Sequence, residues 1–211
     1  MNAKRAADSR GNLVQAATEL MRKQGYVATT VDQICAEAGV TKGAFFHHFK
    51  SKQELAAACL HGWDELGEEM DRRVGVAIAR ELGQDADPVD IALRYMDWLS
   101  SVFADPKLLK SCLAGTIAQE LADGATPLRE AANSCFVNAE RRLKSLLDAA
   151  CRSHSVHLDT GALASLWMAT LQGSLILFKA SGDDGLIPRN LQQVRNYISS
   201  LLVTKESKGN S

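Results

Sequence analysis

Residues 29–55, TTVDQICAEAGVTKGAFFHHFKSKQEL, leave little freedom in how they fold. Val31, Ile34, Cys35 and Ala38 recur at i, i+3, i+4 and i+7, the spacing of one helix face. Thr30 stands just before that face and Gln33 three residues later, the pattern of a capping box. Gly39 closes the face, since a residue without a Cβ accepts the left-handed backbone of a sharp helix exit. Thr41 offers a second cap, and Phe45 and Phe49, four apart, put two rings on one side of a second short helix. Ser51 with Glu54 forms another capping pattern, so a third helix follows at once. Two short helices joined by Gly39, Val40 and Thr41 fit a helix-turn-helix, the unit that sets a recognition helix into the DNA major groove.

The run GVTKGAFFHHFKSKQEL at 39–55 resembles the signature of TetR-family transcriptional regulators. The resemblance is specific in about the first quarter of the chain and architectural beyond it. It implies an all-α homodimer with an N-terminal three-helix DNA-binding domain, here 1–52, and a C-terminal helical effector-binding and dimerisation domain, here 53–211. It further implies that His48 and Lys52 hold phosphates and that His47 faces the groove. Phe46 departs from the family pattern, where a tyrosine is common, and cannot donate the hydrogen bond that a tyrosine hydroxyl gives a phosphate.

The net charge of −1 hides a division that matters for a nucleic-acid partner. Residues 1–52 carry eight basic and four acidic side chains, whereas the remainder carries 16 basic and 21 acidic. Positive charge therefore gathers where the motif lies. No apolar run approaches the roughly 20 residues needed to cross a bilayer, and MNAKRAADSR lacks the apolar centre of a signal peptide. Five scattered cysteines without framework spacing suit reduced thiols in the cytoplasm. These features point to double-stranded DNA as partner and to no membrane.

Within the motif, Thr29 and Thr30 lie at a helix start, where hydroxyls and free amides meet phosphate oxygens. Thr41, Lys42, Gly43 and Ala44 open the second helix, the end that enters the groove. Lys42 is the leading base reader, because a cationic donor suits guanine O6 and N7. Small side chains at 43 and 44 let the backbone approach base edges. Phe46 retains van der Waals contact with sugar or a thymine methyl. Residues 1–8 read as a basic arm, more ordinarily disordered than seated in the minor groove. Residues 9–24 form a helix with Leu13, Ala17, Leu20 and Met21 inward, and Val27 joins the same small core.

From 51 to about 82 the pattern is one long helix, a lever between the motif and the second domain. Pro88 opens the next helix, which runs to about Ala104, and Pro106 starts a segment through Cys112 and Ile117 towards Leu121. Thr126 and Pro127 cap and open a long helix reaching about Arg152. Residues 160–179 are apolar on nearly every side and must be covered; with 188–202 they supply two helices per chain to a four-helix dimer interface.

An apolar effector site is expected from Met70, Tyr95, Trp98, Phe103, Cys112, Phe136, Trp167 and Met168. By a further resemblance, Ser111-Cys112-Leu113 with Ala118-Gln119-Glu120 is similar to a stretch in electrophile-sensing members of the family. There a thiolate reacts, and Lys107 and Lys110 lie close enough in sequence to lower its pKa. A thiol-based electrophile or redox sensor acting through Cys112 is thus the alternative to a small apolar effector. A helical binding protein without DNA function is another. Cys151, His154 and His157, three apart, lack a fourth metal ligand. No phosphate loop, H-E-x-x-H or G-x-S-x-G motif is present, so neither catalytic residues, a metal nor a cofactor is expected.

Overall fold

A computed structural model describes residues 2–105, 111–121 and 127–203, with side chains from residue 9 onward. Nine helices and no strand occur among them: α1 (Asn2–Gln24), α2 (Val31–Ala38), α3 (Lys42–His48), α4 (Lys52–Leu82), α5 (Pro88–Ala104), α6 (Leu113–Glu120), α7 (Pro127–Ser153), α8 (Thr160–Ser181) and α9 (Leu186–Val203). The fold is all-α.

The backbone of residues 2–8, expected as an arm, continues α1 as helix. Ala3, Lys4, Arg5, Ala6 and Ala7 are all strong helix formers, which accounts for the extension. Pro106, Lys107 and Lys110, at the expected start of the segment towards Leu121, and Thr126, the expected cap of the next helix, lie outside the described residues. α6 begins only at Leu113, so Cys112 caps the helix instead of lying within it.

The chain divides into two compact units. The first comprises residues 1–66 and 111–136, and is larger than the expected 1–52. Its core shows why: Leu13, Ala17 and Met21 of α1, Ile34 and Cys35 of α2, and Phe45 and Phe49 join Leu55 and Leu60 of α4. Leu113, Ala114 and Ile117 of α6 and Leu128, Ala132 and Cys135 of α7 complete the same cluster. Val27 does not join it; at 66% exposure it points outward, and Tyr26 packs against the core in its place.

In the second unit, comprising 67–110 and 137–211, α9 packs against both α5 and α8. Ile187, Leu191, Ile198 and Leu202 of α9 and Leu163, Ala164, Trp167, Leu171 and Leu175 of α8 are buried. α8 spans 22 residues and is long and apolar enough by length and composition to cross a bilayer. That corrects the reading of no such run: Thr170, Gln172, Gly173 and Ser174 break the apolar stretch in sequence without lowering its average enough. Only 33% of its apolar window is buried within this chain. Leu166, Ile176 and Leu177 remain exposed, as do Tyr197 and Val203 of α9.

Candidate nucleic-acid interface

The caps read from sequence define the local geometry. Gln33 N–H donates to Thr30 Oγ1 at 3.2 Å, and Thr30 N–H donates to Gln33 Oε1 at 2.9 Å, the reciprocal capping box. Gly39 takes φ 65° and ends α2, with Val40 N–H donating to Cys35 C=O at 3.0 Å. Thr41 then caps α3, its Oγ1 accepting from Ala44 N–H at 3.2 Å. The turn between the helices is thus fixed at both ends within three residues. Ser51 Oγ accepts from Glu54 N–H at 3.1 Å, while the Glu54 carboxylate accepts from Lys50 N–H, one residue earlier than the pattern suggests.

A Cβ added at Gly39 meets nothing within 4 Å, so Gly39→Ala meets backbone strain without a clash. The variant is expected to lose about 1 kcal/mol, the cost of a left-handed alanine. A urea titration would show a lower midpoint at an unchanged slope; an unchanged midpoint would mean the turn relaxes freely.

Phe45 is fully buried and Phe49 nearly so, their ring centroids 6.1 Å apart. They anchor α3 from beneath, and the opposite face is left to solvent. There Thr41, Lys42, Gly43, Phe46 and His47 are exposed, with Ala44 and His48 half-buried beside them. Thr30 is exposed at the start of α2. Eight of the ten sequence candidates therefore reach one accessible region around α2 and α3. Arg10, not singled out from sequence, sits with its guanidinium 5.2 Å above the Phe49 ring.

The two remaining candidates are placed otherwise. Thr29 is fully buried, and its hydroxyl donates to Gly25 C=O at 2.6 Å. It offers no hydroxyl to the outside. Lys52 turns inward: Nζ donates to Tyr26 C=O at 2.8 Å, Val27 C=O at 3.3 Å and Thr29 C=O at 2.8 Å, and lies 4.3 Å from the Tyr26 ring centroid. Burial pulls the Lys52 pKa down, and Glu120 works in the opposite direction. Three carbonyls of the protein's own loop thus occupy this ammonium.

Lys42 Nζ lies 2.6 Å from Asp32 Oδ1 of α2, both side chains largely exposed. Hydrogen bonding to Asp32 raises the Lys42 pKa. The pair ties the start of α3 to the first turn of α2.

Cys112 stands at the N-cap position of α6 and is half-buried. Arg22 approaches that helix end, its Nε donating to Ser111 C=O at 3.2 Å and its guanidinium 4.9 Å from the Trp63 ring centroid. Burial raises the thiol pKa at Cys35 and Cys151 and takes Cys59 up to about 11, which disfavours the reactive thiolate at all three. All five cysteines stand outside disulfides.

The effector candidates fall in different units. Cys112 and Phe136 belong to the first, and Met70, Tyr95, Trp98, Phe103, Trp167 and Met168 to the second. Tyr95 and Trp98 rings stand 6.0 Å apart. Tyr95 is buried, and its hydroxyl donates to Asp71 Oδ1 at 2.6 Å; Arg142 pairs with Asp71 Oδ2. Burial raises the Asp71 pKa against the pull of Tyr95 and Arg142. The sequence, scanned for apolar residues, missed this partly buried ionic group. Neither Cys151, which is buried, nor His157 joins His154, whose Nε2 lies 2.7 Å from Asp87 Oδ2; among the described residues no three such side chains converge.

A capped pair of short helices, anchored by buried aromatics and presenting threonines, a lysine and histidines outward, defines a helix-turn-helix DNA-binding protein. Residues 13–59 match the profile of bacterial regulatory proteins of the tetR family, and residues 90–194 match the tetracyclin repressor-like C-terminal domain. The chain belongs to the TetR family of transcriptional regulators. It is 25% identical over 188 residues to an uncharacterized HTH-type transcriptional regulator in the lacX 3' region of Lactococcus lactis subsp. lactis, spanning 89% of this chain and 92% of that one. It is 30% identical over 129 residues to the HTH-type transcriptional regulator LmrA of Bacillus subtilis (strain 168), spanning 61% and 65%. A TetR transcriptional regulator from Chloroflexus aurantiacus J-10-FL shares the fold, with a TM-score of 0.78 and 23% identity over 93% of this chain and 96% of that one.

Proposed function

We propose that this regulator is a repressor that binds a palindromic operator as a homodimer and leaves it when a small-molecule effector binds the second unit. The observation that carries the DNA contact is the exposed start of α3, capped by Thr41, with Thr41, Lys42, Gly43 and His47 on one accessible face. Thr30, Ala44, Phe46 and His48 flank them, and Thr29 and Lys52 act behind the surface. The uncovered apolar side chains of α8 and α9 support the dimer, since two copies of such a pair make a four-helix interface. Two-fold symmetry then sets the half-sites about 34–36 Å apart. The effector acts by its differential affinity for the DNA-binding and released states, α4 being the helix that contributes to both units. The polar group Asp71, Tyr95 and Arg142 gives the second unit a hydrogen-bonding element among its apolar residues. The site of action is the cytoplasm, and the function requires no turnover.

The test is a selection of bound duplexes from random DNA at a stated salt concentration, because phosphate contacts weaken as salt rises. Recovery of a palindrome supports the reading, and recovery of nothing above background ends it. On the selected operator, Lys42→Ala is expected to weaken binding about five- to 150-fold, the range of one base contact, with relaxed preference at one position per half-site. Asp32→Asn should do the reverse for unselected DNA, tightening it several-fold by freeing Lys42 and removing a charge beside the phosphates. Equal changes on operator and unselected DNA for Lys42→Ala would reduce that residue to a phosphate contact.

A further inference from the structure

The loop between α1 and α2 has no regular structure of its own, yet it carries the cap that starts α2. Two side chains from distant parts of the chain grip it. From α4, the Lys52 ammonium gathers the carbonyls of Tyr26, Val27 and Thr29. From the last residue of α6, Glu120 Oε2 accepts from Val27 N–H at 2.8 Å. The other carboxylate oxygen of Glu120 lies over Gly25, where φ is 95° and any Cβ would run into it. Gly25 is thus required twice, for its backbone and for the approach of the carboxylate. Thr29, within the grip, donates to Gly25 C=O, and Thr30 directly follows as the cap of α2.

We propose that Lys52 and Glu120 are positioning residues for DNA binding: an ionic clasp on residues 25–29 that sets the start of α2, and through it the seat of α3, without either side chain touching DNA. The proposal rests on the DNA-binding reading above and deepens it. It assigns a role to Glu120 that simple electrostatics would not. An acidic side chain in the DNA-binding unit repels phosphates, so its removal should tighten binding if charge alone mattered. With the clasp, removing it releases Val27 N–H and weakens binding. Lys52 inverts the same way. Were it a phosphate contact, its loss would take about 0.9 from the slope of log affinity against log salt. As a clasp, it changes affinity and leaves the slope alone.

The experiment uses the full chain and its selected operator, with affinity measured over a range of salt. Lys52→Met keeps the aliphatic stem over Tyr26 and removes the ammonium; Glu120→Ala removes the acceptor; Glu120→Gln restores a neutral one. Lys52→Met and Glu120→Ala are expected to weaken binding on the order of tenfold, the scale of a lost hydrogen bond to a charged group. Their salt slopes should match that of the unsubstituted protein, and Glu120→Gln should recover most of the loss. Hydrogen exchange supplies a second readout, with faster exchange of the Val27 and Thr30 amides in both weakened variants. A shallower salt slope for Lys52→Met, tighter binding by Glu120→Ala, or unchanged exchange in the loop would each overturn the clasp. If Lys52→Met does not fold, the Glu120 pair, built on an exposed side chain, decides the matter alone. If the unsubstituted protein binds no DNA, the regulator reading fails, and exchange in the loop still tests the clasp.

Discussion

Phe45→Ala is expected to destabilise the DNA-binding unit by about 3–5 kcal/mol, the cost of replacing a buried phenylalanine by alanine. The side chain is fully buried and packs edge-on to Phe46 and at a tilt to Phe49, with ring centroids 5.1 and 6.1 Å away. α3 has only seven residues and cannot hold itself together in water. Its helical state depends on that ring as the peg joining it to α1, α2 and α4. A domain is stable by about 5–15 kcal/mol in total, so the loss falls near the threshold of unfolding. Denaturation followed by circular dichroism should give an early transition for this unit, and operator binding should vanish with it. A loss below about 1 kcal/mol would mean that α3 is held by something other than its aromatic underside. Phe46→Ala provides the contrast: that ring is 59% exposed, and its removal should leave stability nearly unchanged.

The second large effect concerns α8. Ile176 and Leu177 are 47% and 53% exposed in the single chain. In the proposed dimer both are covered, and two-fold symmetry makes each substitution count twice. Ile176→Glu with Leu177→Glu would place four carboxylates in an apolar interface without partners, where each carries a desolvation penalty. Light scattering should report a dimer for the unsubstituted protein and a monomer for the variant. Operator affinity should fall by about 100-fold or more, because one half-site no longer assists the other. The protomer itself should keep its fold, since neither side chain lies in its core. A monomeric unsubstituted protein, or a variant that stays dimeric, would remove α8 from the interface.

The helix-turn-helix was legible because its signals are local. A cap and its partner stand three residues apart, a turn glycine follows, and a pair of phenylalanines is spaced by one turn; each acts through backbone geometry within its own segment. The long helices were legible for the same reason, from prolines at their starts and apolar residues on one face. What escaped was everything set by residues far apart in sequence. Lys52 is 23 to 26 residues from the carbonyls it holds, and Glu120 is 93 from Val27. No periodicity announces such partners. Thr29 and Lys52 carry chemistry that suits phosphate, and in the folded chain it engages the protein's own backbone. Val27 looked like core by its type alone; its neighbour Tyr26 took the place because its ring lies against the Lys52 ammonium. The partly buried Asp71, Tyr95 and Arg142 group was hidden because its members sit on three different helices.

The composition of the first core also bears on synthesis. Leu13 and Met21 share a cluster with Leu113, Ile117, Leu128, Ala132 and Cys135. A ribosome making this chain therefore releases the recognition helix while the residues of α6 and α7 that complete its core cluster have yet to be translated. The cluster closes only when α6 and the first turns of α7 have emerged. High sequence separation of this kind slows closure of a core. The part of the chain that reads DNA is thus among the first to be written and among the last to be finished.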